Sequence, residues 1–308
     1  MRVVFMGTPD FAVASLEKLV SYGCDVVGVF TQPDKPVGRK RIITPPAVKV
    51  CATKYNIDVY QPEKMRDGTA YEIIKSLNPE LIVVVAYGKI LPKEILDFPK
   101  YGCINIHGSL LPKLRGAAPI QWSVINGDEY AGVTSMMMNE GLDTGDIIIE
   151  KSVKIDINET SGELYERLAL LGGDVLEETL TLIENGELTT IPQNYDESTY
   201  APLLSKELSE INWSESALSI HNKIRGLNPW PVAITYIDGI KYKIFKSQLV
   251  ENAKGEPGEI VENNKKLVVA CGDGNGISIE FIQPDGKKQM DISSFLLGNK
   301  LEKGKIIG

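Results

Sequence analysis

Histidine is nearly absent from this chain: His107 and His221 are the only two in 308 residues. Cysteine is scarce as well. The four present, Cys24, Cys51, Cys103 and Cys271, are scattered, form no CxxC pair and have no histidine at metal-ligand spacing. That pattern argues against a zinc site and a disulfide framework, so reduced thiols in a cytoplasmic protein are expected, with no metal. No apolar run approaches the roughly 20 residues of a membrane span, and no membrane partner is expected. The opening MRVVFMGTPDF lacks the apolar stretch and cleavage site of a signal peptide and reads as the first strand of a domain. Two chemical signatures are missing too. No serine stands in a G-x-S-x-G elbow, so a covalent acyl-enzyme is not indicated. GTPDF, after the first strand, has one glycine where a dinucleotide fold carries G-x-G-x-x-G. The next strand, DVVGVF, runs into Thr31-Gln32-Pro33 with no acidic residue for a ribose, which disfavours a nicotinamide cofactor.

What is present is an ordinary globular composition, 43% hydrophobic and 24% charged, in a length that suggests two domains at roughly 150 residues each. Net charge is −8, which argues against a simple nucleic-acid binder, but it is unevenly spread. Residues 205–308 hold 14 basic and 13 acidic side chains, a net of +1; residues 1–204 hold 19 and 28, a net of −9. Any surface that tolerates a polyanion therefore belongs to the C-terminal third.

Strand and helix patterns alternate through the first half. RVVFM, DVVGVF, LIVVVAY and CINIHG are buried strands; FAVASLEKLVSYG, AVKVCATKY and the stretch near 70–77 have helical spacing. This predicts an α/β, Rossmann-like, mostly parallel sheet with helices on both faces. Residues 31–46, rich in proline and basic side chains, read as a loop. AGVTSMMM and GLDTGDIIIEKSVKI add strands, and 161–185 is a long amphipathic helix. Residues 192–212 are polar, without period, and read as a linker between a catalytic domain (1–191) and a second domain (213–308). In the latter, one helix (SESALSIHNKIRGL) precedes five short strands with glycine-rich turns, which suggests a small OB-like β-barrel.

Asn105 and His107 stand at i and i+2 of a strand, so amide and imidazole share a face. They lie at the strand's carboxyl end, where open α/β folds place ligands. A buried polar pair satisfied by nearby loops is an equal reading. In EGLDTGDIII, two glycines flank Leu142-Asp143-Thr144; the turn either aims a carboxylate into a cleft or is an Asx turn at a hairpin tip. His221, beside the apolar stripe Ala217, Ile220, Ile224 and Leu227, reads as packing. Asn105, His107 and Asp143 together offer a donor, a titratable ring and a carboxylate, which suffice for direct acyl transfer.

IHGSLLPKLRGAAPIQW with GLDTGD resembles the folate-dependent formyltransferases, with Asn105, His107 and Asp143 at their three catalytic positions. VVFMGTPDFA, TQPDKPVGRK, VVAYGKILP and IRGLNPWPVA look like the members acting on methionyl-tRNA, and the match spans nearly the whole chain. The resemblance implies formyl transfer from 10-formyltetrahydrofolate, as co-substrate, to the methionine amine of initiator methionyl-tRNA. It implies oxyanion stabilisation by Asn105 and His107, with Asp143 orienting the ring and relaying the proton. Ser109, Leu110, Leu111 and Pro112 would line the folate site, and Ile90 and Leu91 would give the pterin an apolar wall. Arg39, Lys40 and Arg41 would reach the acceptor end of tRNA; Lys206, Lys241 and Lys243, with Lys223 and Lys246, would meet its phosphates. Pro229-Trp230-Pro231 reads as packing rather than RNA stacking. A monomer is expected. A small-amine formyltransferase, a formyl-folate hydrolase and a non-catalytic tRNA-binding protein remain as alternatives.

Overall fold

The computed structural model describes residues 1–38 and 40–308; Arg39, one of the expected RNA contacts, lies outside the described residues. The first part runs β1 (Arg2–Gly7), α1 (Val13–Tyr22), β2 (Asp25–Phe30), β3 (Lys35–Val37), β4 (Ile42–Thr44), α2 (Ala47–Lys54), β5 (Val59–Tyr60), α3 (Thr69–Leu77) and β6 (Leu81–Val85). It continues with α4 (Lys93–Leu96), β7 (Cys103–His107), β8 (Arg115–Gly116), α5 (Pro119–Asn126), β9 (Tyr130–Met137), β10 (Ile147–Lys154), α6 (Ser161–Asn185) and β11 (Tyr200–Ala201). Seven of these strands make one sheet in the order β10-β9-β7-β6-β1-β2-β5. β7, β6, β1, β2 and β5 run parallel, and β9 lies antiparallel on β7.

The parallel strands are apolar on both sides because both faces are covered. Val4, Met6, Ile82 and Val84 pack with Ala70 and Ile74 of α3 and Ile95 and Leu96 of α4. Beyond the other face, α6 comes so close to α1 and β7 that a Cβ on Gly172 would lie 3.3 Å from Ile106 Cγ2. The chain leaves β1 for β2 and β5 on one side and returns to β6 on the other. The order therefore reverses between β1 and β6, the kind of position where open α/β sheets take ligands, with β7 next to β6.

The segment 31–46, expected as a loop, contains a small antiparallel hairpin: Lys35 pairs with Thr44, Pro36 with Ile43 and Val37 with Ile42. An isolated two-stranded ribbon tolerates the proline that a central strand would not. Gly38, Lys40 and Arg41 lie between the two strands, and Val37, Ile42 and Ile43 are all exposed.

After α7 (Ala217–Gly226) come β12 (Ala233–Ile237), β13 (Ile240–Val250), β14 (Ile260–Glu262), β15 (Leu267–Ala270), β16 (Gly276–Pro284), β17 (Met290–Asp291) and α8 (Ile292–Gly298). They form a six-stranded antiparallel sheet in the order β12-β13-β16-β15-β14, with β17 on β16, consistent with the OB-like expectation. A bulge at Ile244–Lys246 bends β13. The apolar side of the sheet closes on Ile220 and Ile224 of α7 and Phe295 of α8.

The compact units are not contiguous in sequence. One gathers 1–116, 131–153 and 165–201; the other gathers 117–130, 154–164 and 202–308. Helix α5, inside the range expected for the first domain, thus belongs with α7: Gly226 lets Ile125 approach, and a Cβ there would fall 2.4 Å from Ile125 Cγ1. Residues 192–201, expected within the linker, fold with the first unit.

His221 is a packed histidine, as the stripe predicts. It is 1% exposed, with Nδ1 2.9 Å from Ser247 Oγ and Nε2 2.8 Å from the Ile157 carbonyl. The carbonyl can only accept, so Nε2 carries the hydrogen and the serine hydroxyl donates to Nδ1. Burial, helped by the nearby Arg225 charge, pushes the ring below its ordinary 6.5. An unfolded chain takes up this proton near pH 6.5 while the folded one does not, so stability is complete above that pH and falls below it. Urea midpoints of the second unit should decrease from pH 7 towards pH 5.5, and His221→Gln should flatten that dependence. Equal slopes for variant and wild type would contradict this account.

Candidate active site

Strand β7 sets the first two groups. Asn105 pairs with Val84 of β6 and Met136 of β9, and His107 with Thr134, so both side chains leave the same face at the strand's carboxyl end. They are 9% and 6% exposed. Asp143 enters from the turn between β9 and β10. Its Oδ1 lies 3.5 Å from Asn105 Nδ2 and 3.8 Å from His107 Nδ1, and its Oδ2 accepts the Gly116 N–H at 2.8 Å. The sequence-predicted triad is therefore one cluster.

The other imidazole nitrogen fixes the ring. His107 Nε2 lies 3.0 Å from the Leu114 carbonyl, which only accepts, so Nε2 bears a hydrogen. A neutral ring then has a bare Nδ1 facing Asp143. Only the imidazolium presents a second N–H on that side.

The Asp143 turn is tight. Asp143 itself has φ of +52°, left-handed for a residue with a side chain. The flanking glycines are required by close approach: a Cβ would fall 2.1 Å from Thr144 Oγ1 at Gly141 and 1.6 Å from the Met137 carbonyl oxygen at Gly145. Asn139 Oδ1 accepts from the Gly141 N–H at 3.0 Å and from the Thr144 hydroxyl at 2.8 Å.

Three residues missed by sequence reasoning complete the surroundings. Gln193 Nε2 donates to the Asp143 carbonyl at 2.9 Å and the Gly145 carbonyl at 2.7 Å. Its Oε1 accepts from Arg115 Nε at 3.1 Å and Nη2 at 2.7 Å. Thr199 holds the other side, its Oγ1 accepting the Leu114 N–H at 2.8 Å and its carbonyl the Arg115 N–H at 2.9 Å. Both Gln193 and Thr199 come from an aperiodic polar stretch, where no local pattern announces a contact with residues 48 to 85 positions away.

The residues expected at a folate site divide between buried positions near the end of β7 and positions elsewhere. Ser109 is buried, and its hydroxyl donates to the Lys113 carbonyl at 2.7 Å. Leu111 is buried, with its N–H on Thr134 Oγ1. Leu110 lies over Gly132, and Pro112 is half-buried. Leu91 sits inside the core with Tyr87 and Ile95, whereas Ile90 is 64% exposed and presents the apolar surface. A surface cleft lined by Lys93, Leu96, Asp97, Met138, Asn139, Glu140 and Gly141 opens beside the same turn.

Among the expected cationic contacts, Lys40 and Arg41 are exposed at the hairpin tip, and Lys206 is exposed. Lys241 and Lys243 alternate on β13 and are half-buried, while Lys223 Nζ already donates to the Glu210 carbonyl at 2.5 Å. Among the described residues, no group of three or more His, Cys, Asp or Glu is placed to hold a metal ion. Nor is any described helix long and apolar enough to cross a membrane.

The family model for formyl transferase matches residues 1–180, and that for the formyl transferase C-terminal domain matches residues 203–300. The chain belongs to the formyl transferase family. A protein of Alkaliphilus oremlandii named methionyl-tRNA formyltransferase is 52% identical to it, with 100% of both chains covered. One of the same name from Acetivibrio thermocellus is 48% identical, again over 100% of both. Among solved structures, an N-formyltransferase from Helicobacter canadensis, in complex with folinic acid and dTDP-3-aminofucose, superposes with a TM-score of 0.67. It is 23% identical and the match covers 92% of this chain and 98% of that one, a likeness of fold.

Because the Met137 carbonyl occupies the place of a side chain at Gly145, Gly145→Ala should displace the Asp143 turn. Overpacking of this kind costs about 1–3 kcal/mol. Denaturant unfolding should show a loss in that range. A variant as stable as the wild type would mean that the turn yields without cost.

Proposed function

We propose that the protein transfers the formyl group of 10-formyltetrahydrofolate to the α-amino group of methionyl-initiator tRNA, the step that prepares this aminoacyl-tRNA for translation initiation. The observation that carries the reading is the Asn105–Asp143–His107 cluster, in a chain 52% identical over its whole length to a methionyl-tRNA formyltransferase.

The chemistry follows from the groups in hand. The methionine nitrogen attacks the formyl carbon, and the carbonyl π pair moves onto oxygen. Asn105 Nδ2 has a hydrogen to give this oxyanion beyond the one directed at Asp143, and His107 offers Nδ1–H when protonated. Asp143 accepts the proton that the amine must lose. As the tetrahedral intermediate collapses, the bond from carbon to the folate nitrogen breaks and that nitrogen takes up the proton, relayed from the carboxylate. Gly116 N–H holds the other carboxylate oxygen, so the relay runs through Oδ1, the atom facing both donors.

The supporting parts fall in with the same reading. Ile90, Leu110 and Pro112 give the folate ring apolar surface at the rim of the site, with Ser109 and Leu111 shaping the loop from within and Leu91 packed behind it. The Lys40 and Arg41 tip meets the acceptor end of tRNA, with Arg39 beside them in sequence. Lys206, Lys241 and Lys243, within residues 205–308 of net charge +1, contribute phosphate contacts. In terms of sequence, residues 1–191 carry the chemistry, 213–308 form the tRNA-binding domain and 192–212 join them. All three reacting groups come from one chain, so a monomer suffices, and the substrate places the enzyme in the cytoplasm.

Removing one oxyanion donor typically costs ~2.7–4 kcal/mol of transition-state stabilisation. Asn105→Ala and His107→Ala should each lower kcat by about 10²–10³-fold with modest change in KM for either substrate. Near wild-type kcat in either folded variant would overturn the assignment.

A further inference from the structure

The catalytic cluster is held by contacts that the proposed mechanism does not use, and they converge on the segment from Thr190 to Ala201. Two non-glycine residues beside the reacting groups have left-handed backbones: Asp143 with φ of +52° and Leu114 with φ of +57°. Such conformations persist where the surroundings over-determine them. Both are tied to the same strap. At the Asp143 turn, Gln193 donates to two carbonyls, Asp143 O at 2.9 Å and Gly145 O at 2.7 Å. Ile191 exchanges two backbone hydrogen bonds of 2.8 Å with Ile147, just beyond the turn. Thr190 Oγ1 reaches Asp146 Oδ2 at 3.3 Å, and the Tyr195 hydroxyl reaches the Thr144 carbonyl at 3.4 Å.

At Leu114, whose carbonyl receives His107 Nε2, the preceding N–H is taken by Thr199 Oγ1 and the following one by the Thr199 carbonyl. Strand β11 then pairs Tyr200 and Ala201 with Arg115 and Gly116, and Gly116 is the residue whose N–H holds Asp143 Oδ2. Gln193 joins the two halves. Its amide is 6% exposed, and each of its polar atoms makes two hydrogen bonds: the nitrogen to the Asp143 turn, the oxygen to Arg115, whose guanidinium lies 4.7 Å from the centre of the Tyr195 ring.

We infer that Gln193 is a positioning residue, which sets the separation of the Asp143 carboxylate from the His107 ring by bridging the Asp143 turn to the Leu114–Gly116 segment. It touches neither reacting group's side chain; it acts through the two backbones that carry them. A glutamine is suited to this place because one planar amide offers donors on one edge and an acceptor on the other. A glutamate would keep the Arg115 contact but offer lone pairs to two carbonyls. An asparagine would fall one methylene short. This inference rests on the formyl-transfer reading for its kinetic consequence, but its geometric content does not.

The test therefore has two readouts, applied to Q193E and Q193N in the full chain. Steady-state kinetics should show kcat reduced at least tenfold in each variant that folds, with KM for 10-formyltetrahydrofolate and for methionyl-tRNA within threefold of wild type. Proton NMR of the imidazole C2–H signals uses the fact that only two histidines exist, assigned with His221→Gln. The His107 signal should shift in the variants while the His221 signal stays in place, a change that a general loss of stability does not produce. A folded variant with kcat within twofold and an unmoved His107 signal would overturn the inference. A displaced His107 signal in a protein with no formyl transfer even as wild type would sustain the positioning role and sink the function. Should neither variant fold, Thr199→Ser and Thr199→Val address the same bridge from its other end. The former should retain the wild-type His107 signal and the latter displace it; identical signals in both would overturn the inference.

Discussion

One carboxylate organises the site. Asp143 Oδ2 is tied to the Gly116 amide and Oδ1 faces both Asn105 and His107, so a single side chain links three separate stretches of chain. A carboxylate buried to this degree is costly unless hydrogen-bonded, and the surrounding structure can be understood as the means of bonding and aiming it. The sheet puts two donors on one strand end, the glycine-flanked turn brings the acid to them, and the loop after β7 supplies an amide for one oxygen and a carbonyl to fix the ring. Removing the glycine at 145 or the strap at 193 would leave all three side chains present and their distances altered.

The ring of His107 illustrates how backbone decides chemistry. With Nε2 committed to the Leu114 carbonyl, protonation is what converts Nδ1 from an acceptor into a donor. The same atom can therefore receive or supply a hydrogen bond according to charge, beside an acid able to accept one. His221 makes the contrast: with both nitrogens satisfied by Ile157 and Ser247 and its ring pushed towards neutrality by burial, it has nothing left to offer a substrate.

The sequence was legible where the period was. Alternation along CINIH places Asn105 and His107 on one face, and apolar runs on both sides of the helices announce the parallel sheet. Asp143 was legible through its glycines, since both positions turn out to lack room for a Cβ. Other features depend on partners distant in sequence. The proline-rich stretch 31–46 reads as loop because proline masks the short pairing of β3 with β4. Leu91 and Ile90 are adjacent and equally apolar, yet one is core and the other exposed, a difference set by α4 and Tyr87 rather than by local pattern. PQNYDESTYA looks like solvated linker, and its glutamine reveals itself only when the Asp143 turn and Arg115 are brought to it. Helix α5 packs with α7, about 100 positions on, so no continuous boundary could describe the units.

The central claim concerns which bond the cluster makes. Incubating the protein with 10-formyltetrahydrofolate and radiolabelled methionyl-tRNA, then deacylating and separating methionine from formylmethionine, reads that bond directly. The account predicts label in formylmethionine, dependent on both the protein and the folate. Release of formate without a formylated amine, or formylation of a small free amine such as glycinamide ribonucleotide in place of the aminoacyl-tRNA, would contradict it.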